Sequence, residues 1–340
     1  MSEFTPHLAK AVSGSPLSAD EMRAAMASIL QGKASDIEIA GFLTALRSRG
    51  ETVEEIAAAA SAMRDEALKV EAPANAIDTC GTGGDGAGTY NISTAAALIV
   101  AGCGVPVAKH GNKAASSKSG SSEVLEALGV KLDIEPRQIT RCIDEAGLGF
   151  MFAAIHHKAT GNAAAARKGL GVRTLFNVLG PLSNPASAKR QLMGVFSPDL
   201  LRPIAEVMPR LGVEAAWVVH GADGLDELTT TGPTYVASLK AGVVTEFEVT
   251  PEEAGLPRAN ADDLKGGDPQ ENAQSLRALL DGEKSAYRDI ALLNAAAALV
   301  VSDKADDLAQ GVKAAAQAID TGAAKAALSK LVVISNEGAP

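Results

Sequence analysis

With 340 residues, 46% of them hydrophobic and 21% charged, the chain has the composition of a folded globular protein. It also exceeds the size at which one core usually stops growing, so two domains are expected. A net charge of −10 argues against nucleic acid or anionic lipid as a main partner, and 3% aromatic residues leave little for base stacking.

The chain begins MSEFTPHLAKAVSG, without the basic start and apolar run of a secretory signal, and no later apolar stretch reaches membrane-spanning length. A cytoplasmic protein with no membrane partner is expected. Residues 1–72 read as all-helical. Ser18 with Glu21, Ser35 with Glu38 and Thr52 with Glu55 each fit the capping box, in which a hydroxyl and a carboxylate satisfy each other's orphaned backbone N–H groups. Behind the second and third boxes apolar residues recur at helical spacing, as in Ile39, Phe42, Leu43 and Leu46, then Ile56, Ala59, Ala60 and Met63. Three helices are predicted before Pro73 closes the segment.

From Ala76 the texture changes to short apolar runs broken by glycines and separated by helical stretches, the alternation of an α/β protein with a mostly parallel sheet. Strands are predicted at Ile77–Cys80, Val105–Lys109, Gly149–Phe152, Leu192–Phe196, Ala215–Val219, Val236–Leu239 and Val243–Val249. Intervening helices should begin near Ser93, Ser121, Pro136, Ala159 and Leu200. From about Asn272 to Leu331 the chain is again helical and rich in alanine. The expected division is a helical domain over 1–72 and an α/β domain over 73–340. Cys80, Cys103 and Cys142 are too scattered for a disulfide framework or a zinc site.

Three stretches carry chemistry. GTGGDGAGTYNIST, residues 81–94, lies between a predicted strand and a predicted helix, where bare backbone N–H groups and the helix dipole bind phosphates. It matches neither the P-loop nor the dinucleotide fingerprint, and alone it also fits a tight crossover without a ligand. VAKHGNKAASSKSGSSEVLEALG, residues 107–129, crowds three lysines and five serines into the next such corner. That set suits a compact polyanion, or a solvated surface loop. Two such corners on successive parallel strands converge on one crevice. HGADGLDE, residues 220–227, would overhang the same edge. Asp226 and Glu227 are candidate Mg²⁺ ligands, since that ion takes one or two carboxylates and completes its shell with water and phosphate oxygens. A turn with solvated acids is the alternative.

Together these stretches resemble the anthranilate phosphoribosyltransferase family. GTGGD at 81–85, NIST at 91–94, KHGN at 109–112, SSKSGS at 116–121, RTLFNVLGPLSNPA at 173–186 and DGLDELT at 223–229 stand in that family's order and spacing, and the likeness covers nearly the whole chain. The resemblance implies a small helical domain beside a larger nucleoside-phosphorylase-like α/β domain, joined as a homodimer through the helical part. It implies transfer of the phosphoribosyl group of 5-phosphoribosyl 1-diphosphate (PRPP) to the amino group of anthranilate, in tryptophan biosynthesis, with Mg²⁺.

By the same resemblance Gly81, Gly84, Asp85, Thr89, Asn91, Ile92, Ser93 and Thr94 contact PRPP from the first corner. Lys109, His110, Gly111, Asn112, Lys113, Ala114, Ala115, Ser116, Ser117 and Ser121 contact it from the second. Ser93, Asp226 and Glu227 serve the metal, and Lys109 with Asp226 and Glu227 forms the catalytic set. Gly81, Asn112 and Arg167 fall to anthranilate, with His157 near them. His110 reads either as a proton acceptor or as a structural hydrogen-bonder. The chain departs from the family over Thr160–Ala166, where small side chains stand in place of a Met-Lys pair and its larger neighbours. Two other readings remain: a different acceptor on the same fold, and a non-catalytic nucleic-acid-binding relative.

Overall fold

The computed structural model describes residues 2–114 and 118–338. The expected contacts Ala115, Ser116 and Ser117 lie outside the described residues.

The N-terminal part holds four helices, α1 (Thr5–Val12), α2 (Ala19–Leu30), α3 (Asp36–Arg49) and α4 (Val53–Asp65). The last three start at the three predicted capping boxes, each formed in both directions. The first has no such signal: its N-cap is Phe4 and no side chain caps it. It is held by tertiary packing instead, the buried Phe4 ring meeting Phe42 of α3 edge-on at 5.3 Å. Glu55 does more than cap α4. Fully buried, its carboxylate also accepts Leu17 N at 2.8 Å and Arg49 Nη2 at 2.7 and 2.8 Å, so one side chain ties α2, α3 and α4 together.

Seven strands follow: β1 (Ile77–Gly81), β2 (Val107–Gly111), β3 (Leu148–Phe152), β4 (Arg190–Gly194), β5 (Ala215–Gly221), β6 (Thr234–Lys240) and β7 (Val243–Val249). They form one sheet in the order β3-β2-β1-β4-β5-β6-β7, parallel through β5 and antiparallel for the last two. All seven were predicted, but β2 begins two residues later than expected and β4 two residues earlier. Pairing sets those ends, through Val107 with Leu148 and Arg190 with Ala215. The chain builds outward from β1 to β3 and then returns to place β4 on the other flank of β1. The crevice at the carboxyl ends of β1 and β4 is therefore a topological switch point, the usual ligand position in such sheets.

The helices after β1 are α5 (Ile92–Gly102), α6 (Ser121–Ala127), α7 (Pro136–Arg141), α8 (Ala153–His156), α9 (Ala164–Leu170), α10 (Phe176–Leu182) and α11 (Leu201–Val207). The chain closes with α12 (Pro269–Leu280), α13 (Ala286–Val301), α14 (Leu308–Asp320) and α15 (Ala323–Asn336). The helix expected near Ala159 is a 3-10 turn over Lys158–Ala163, and α-helix begins only at Ala164. One core joins α5, α13 and α15 to one sheet face; on the other, α2, α3 and α4 pack with α10, α11 and residues of β4 and β5. Among the described residues no helix is long and apolar enough to cross a membrane.

Candidate active site

A cleft of about 320 Å³ opens at the carboxyl ends of β1 and β2. Its first wall is the corner between β1 and α5. Gly83 and Gly84 take φ of 66° and 76°, a region closed to most side chains, and this turns the loop so that Gly83 N donates to Asp226 Oδ2 at 2.6 Å. Gly81 and Gly194, at the ends of β1 and β4, make room for Asp226: a Cβ on either would collide with it. The carboxylate thus sits in the switch-point crevice because two neighbouring strands end in glycine. The start of α5 is tied in by Ser93 N, which donates to Glu227 Oε1 at 3.1 Å. Thr94 Oγ1, buried, lacks a hydrogen-bond partner among the described residues, and Thr94 lines the cleft.

The second wall is the corner between β2 and α6. Lys109 is 1% exposed, and its ammonium donates to Thr79 O and, at 3.3 Å, to Ser93 Oγ. Gly120 permits the close turn, since a Cβ there would strike the backbone at Ala114, and Glu123 then accepts from Ala114 N at 3.1 Å and Gly120 N at 2.9 Å.

The acids are strongly perturbed. Burial, and next the charge of Asp85, push the Asp226 carboxyl well above the usual carboxylate range. Burial and the charge of Asp226 do the same to Glu227, against the opposing pull of Lys109. Two buried carboxyls beside a third acid are under-compensated by one lysine, which is the electrostatic condition a divalent cation relieves. Among the described residues no three His, Cys, Asp or Glu side chains form a metal cage. That suits an ion such as Mg²⁺, whose shell is completed by phosphate oxygens and water.

The far wall comes from α8, α9 and α10. Arg167 is half-buried with its guanidinium carbon 5.0 Å from the centre of the Phe176 ring, and burial lowers its pKa. Among the described residues it has no ion-pair partner. A planar cation held against an aromatic face has the geometry to take a carboxylate by two parallel hydrogen bonds. His110 Nδ1 lies 3.0 Å from Gly180 O, an obligate acceptor, so Nδ1 carries the hydrogen and Nε2 presents a buried lone pair that has no partner among the described residues. Burial, then the neighbouring His157 and His156, push His110 well below its ordinary pKa, so it is neutral near pH 7.

Comparison with known proteins agrees with this arrangement. Residues 73–325 match the glycosyl transferase family, a/b domain, and residues 5–67 match the helical bundle domain of the glycosyl transferase family. The chain is 59% identical over 336 residues to the anthranilate phosphoribosyltransferase of Parvibaculum lavamentivorans, covering 99% of this chain and 98% of that one. The chain belongs to the anthranilate phosphoribosyltransferase family.

A crystal structure of the family's Thermus thermophilus member shares 44% identity and superposes with a TM-score of 0.93, over 97% of this chain and 99% of that one. The Saccharomyces cerevisiae member, solved in complex with PRPP and Mg, shares 28% identity with a TM-score of 0.89, over 98% and 97% of the two chains.

Apart from His157, the described residues that the resemblance assigns line one cleft: the first-corner set from Gly81 to Thr94, Lys109 to Ala114, Ser121, Arg167, Asp226 and Glu227. His157 does not line it; burial, then His156, lower its pKa to about 4, and its ring sits 5.1 Å behind that of His110. Ser119, one of the serines of the second corner, lines the cleft too, as do Thr82, Gly83, Phe176, Asn177 and Gly180, to which the sequence motifs assign no contact. The signal for the last three was present in RTLFNVLGPLSNPA, quoted as a motif but not resolved into contacts.

Proposed function

We propose that this chain transfers the 5-phosphoribosyl group of PRPP to the amino nitrogen of anthranilate, releasing diphosphate, as a step of tryptophan biosynthesis. The observation that carries the reading is the meeting in one cleft of two glycine-lined strand-to-helix corners, the buried Lys109, the acids after β5 and Arg167. The corners would hold the phosphates of PRPP, with Gly81, Asp85, Thr89, Asn91 and Ser93 on one side and Lys109, Asn112, Lys113 and Ser121 on the other. Asp226 and Glu227, with Ser93 Oγ, would hold Mg²⁺, which when bound withdraws charge from the diphosphate as it leaves.

The reaction forms a nitrogen–C1 bond, breaks the bond from C1 to the diphosphate oxygen, and releases one proton from nitrogen. Positive charge spreads over the ribose ring in between, so stabilising the departing group is the main task. Lys109 lies where it can neutralise that group. Arg167, with Asn112, grips the anthranilate carboxylate and aligns the weakly basic amine, which is a positioning effect. His110, neutral and lining the cleft, could accept a hydrogen bond from a ligand through Nε2, which has no partner among the described residues. The cation complement in this proposal is supported by the S. cerevisiae relative, solved with PRPP and Mg.

The division into a helical part, 1–72, and an α/β part, 73–340, belongs to the same proposal, as do a cytoplasmic setting and a homodimer built through the helical part. Its support is a groove of about 650 Å³ between α1, α3 and α9. The decisive assay is loss of anthranilate fluorescence in the presence of PRPP and Mg²⁺. Folded protein without turnover would overturn the reading, and salt-dependent DNA binding in its place would favour the nucleic-acid alternative.

A further inference from the structure

We infer that Asn272 is a positioning residue for the PRPP site: from behind the cleft it holds the side chain of Asn91 away from the N-terminus of α5 and so keeps that helix end open to an anion. The inference rests on the PRPP reading above.

Asn91 is the N-cap residue of α5, yet its side chain makes no capping bond. Asparagine is among the best N-cap residues because its side-chain oxygen accepts an N–H of the first turn. A chain of amide bonds with fixed polarity prevents that here. At one end Gly267 N, which can only donate, gives its hydrogen to Asn272 Oδ1 at 2.8 Å. This orients the Asn272 amide and turns its Nδ2 toward Asn91 Oδ1, 2.9 Å away. At the other end Asn91 Nδ2 donates at 3.1 Å to the carbonyl of Ser119, which can only accept, and Asn91 Oδ1 takes a second, longer bond from Ser119 Oγ at 3.3 Å. The backbone groups at the two ends therefore fix both amides, and neither can flip without breaking two bonds.

Asn272 is 2% exposed and does not line the cleft, so it can reach a substrate only through Asn91. It also joins three otherwise separate pieces. Its partner Gly267 follows a segment that covers the first loop, with Gly266 N donating to Gly88 O at 2.9 Å and Lys265 bridged to Thr89. Asn91 then connects that strap to Ser119 in the second corner. Tyr287 braces the same point, its hydroxyl donating to Asn91 O at 3.2 Å while its ring stacks on Tyr90 at 4.3 Å. Removal of Asn272 leaves Asn91 Oδ1 with only the longer bond from Ser119 Oγ, so that it can turn toward the first turn of α5; Ser93 N is already held by Glu227, and an intramolecular cap would compete with a phosphate for Thr94 N.

The test is calorimetric PRPP binding, steady-state kinetics and thermal melting on the full chain and three variants. Asn272→Ala should weaken PRPP binding and raise the PRPP KM about tenfold, the size of one lost hydrogen bond, with kcat and the anthranilate KM within about twofold. Asn272→Asp keeps an acceptor for Gly267 N but sets a second acceptor against Asn91 Oδ1. It should be at least as impaired as Asn272→Ala. A purely structural role through Gly267 would be rescued by Asn272→Asp, and that rescue, or an unchanged PRPP affinity in Asn272→Ala, overturns the inference. If the buried acid prevents folding, Asn272→Leu, which removes both polar atoms at similar volume, repeats the Asn272→Ala arm without a cavity, and unchanged PRPP affinity there overturns the inference. A wild-type chain that bound no PRPP would remove the parent reading and this inference together; wild-type binding with an unaffected Asn272→Ala removes the inference alone.

Discussion

At the residue scale, function is written in groups that the fold leaves electrostatically incomplete. Among the described residues Arg167 is a cation without an anion, so Arg167→Ala should raise the anthranilate KM by about a hundredfold, the range for one charge-assisted pair, and leave the PRPP KM nearly unchanged. Arg167→Lys should recover little, because a point charge cannot reproduce the planar two-point grip. Equal losses for both substrates would show that the residue does not face the acceptor. Asp226 and Glu227 are the converse case. Burial raises their pKa to about 7 and about 8, above the unfolded values, so the folded chain binds protons more tightly than the unfolded one. Their contribution to stability is full below about pH 4 and is lost as pH rises through about 7 and 8. Asp226→Asn with Glu227→Gln should therefore raise the metal-free Tm at pH 8 by about 2 °C or more while changing it little at pH 4. The wild type should also gain Tm on adding Mg²⁺ at pH 8, and the double variant should not, with turnover lost. A variant that melted lower at pH 8 would show that these carboxylates are not strained by burial.

At the element scale, legibility depended on whether the stabilising partner was near in sequence. The capping boxes at Ser18, Ser35 and Thr52 could be read because both halves lie three residues apart. The helix α1 could not, because its anchor is Phe4 on Phe42. The ends of β2 slipped for the same reason: Val105 is buried and looks like a strand residue, yet pairing begins at Val107. Glu55 shows what the local pattern understates. Its capping partner is local, but Leu17 N and Arg49 converge on the same carboxylate. Thr52→Ala should cost about 1 kcal/mol, the usual value of an N-cap, whereas Glu55→Ala should cost about 3–5 kcal/mol by leaving Arg49 and a buried N–H without partners. Denaturant titration separates the two, and similar costs would mean that Glu55 serves only as a cap.

At the scale of the whole molecule, the parallel order of the sheet brought the two glycine-rich corners and the acids of residues 223–227 to one edge, which the alternation of strands and helices had already implied. What no local reading supplies is long-range placement, such as Asn272 meeting Asn91 across 181 residues, or the use of outer surfaces. The groove between α1, α3 and α9 is such a surface. Ala11, Val12, Ala40, Gly41, Ala45 and Leu170 line it, and Val12 is 68% exposed, an apolar patch of the kind that usually marks an interface. A second copy seated there by two-fold symmetry would cover the same patch on both chains. Among the described residues none lines both the groove and the cleft. Ala45→Glu, which sets a carboxylate in the groove, should therefore yield monomers by light scattering at micromolar concentration while kcat per chain stays within about twofold. Because α9 carries both Leu170 on the groove and Arg167 on the cleft, the change that does appear should be in the anthranilate KM. A wild type that is monomeric, or an Ala45→Glu chain that remains dimeric, would place the interface elsewhere.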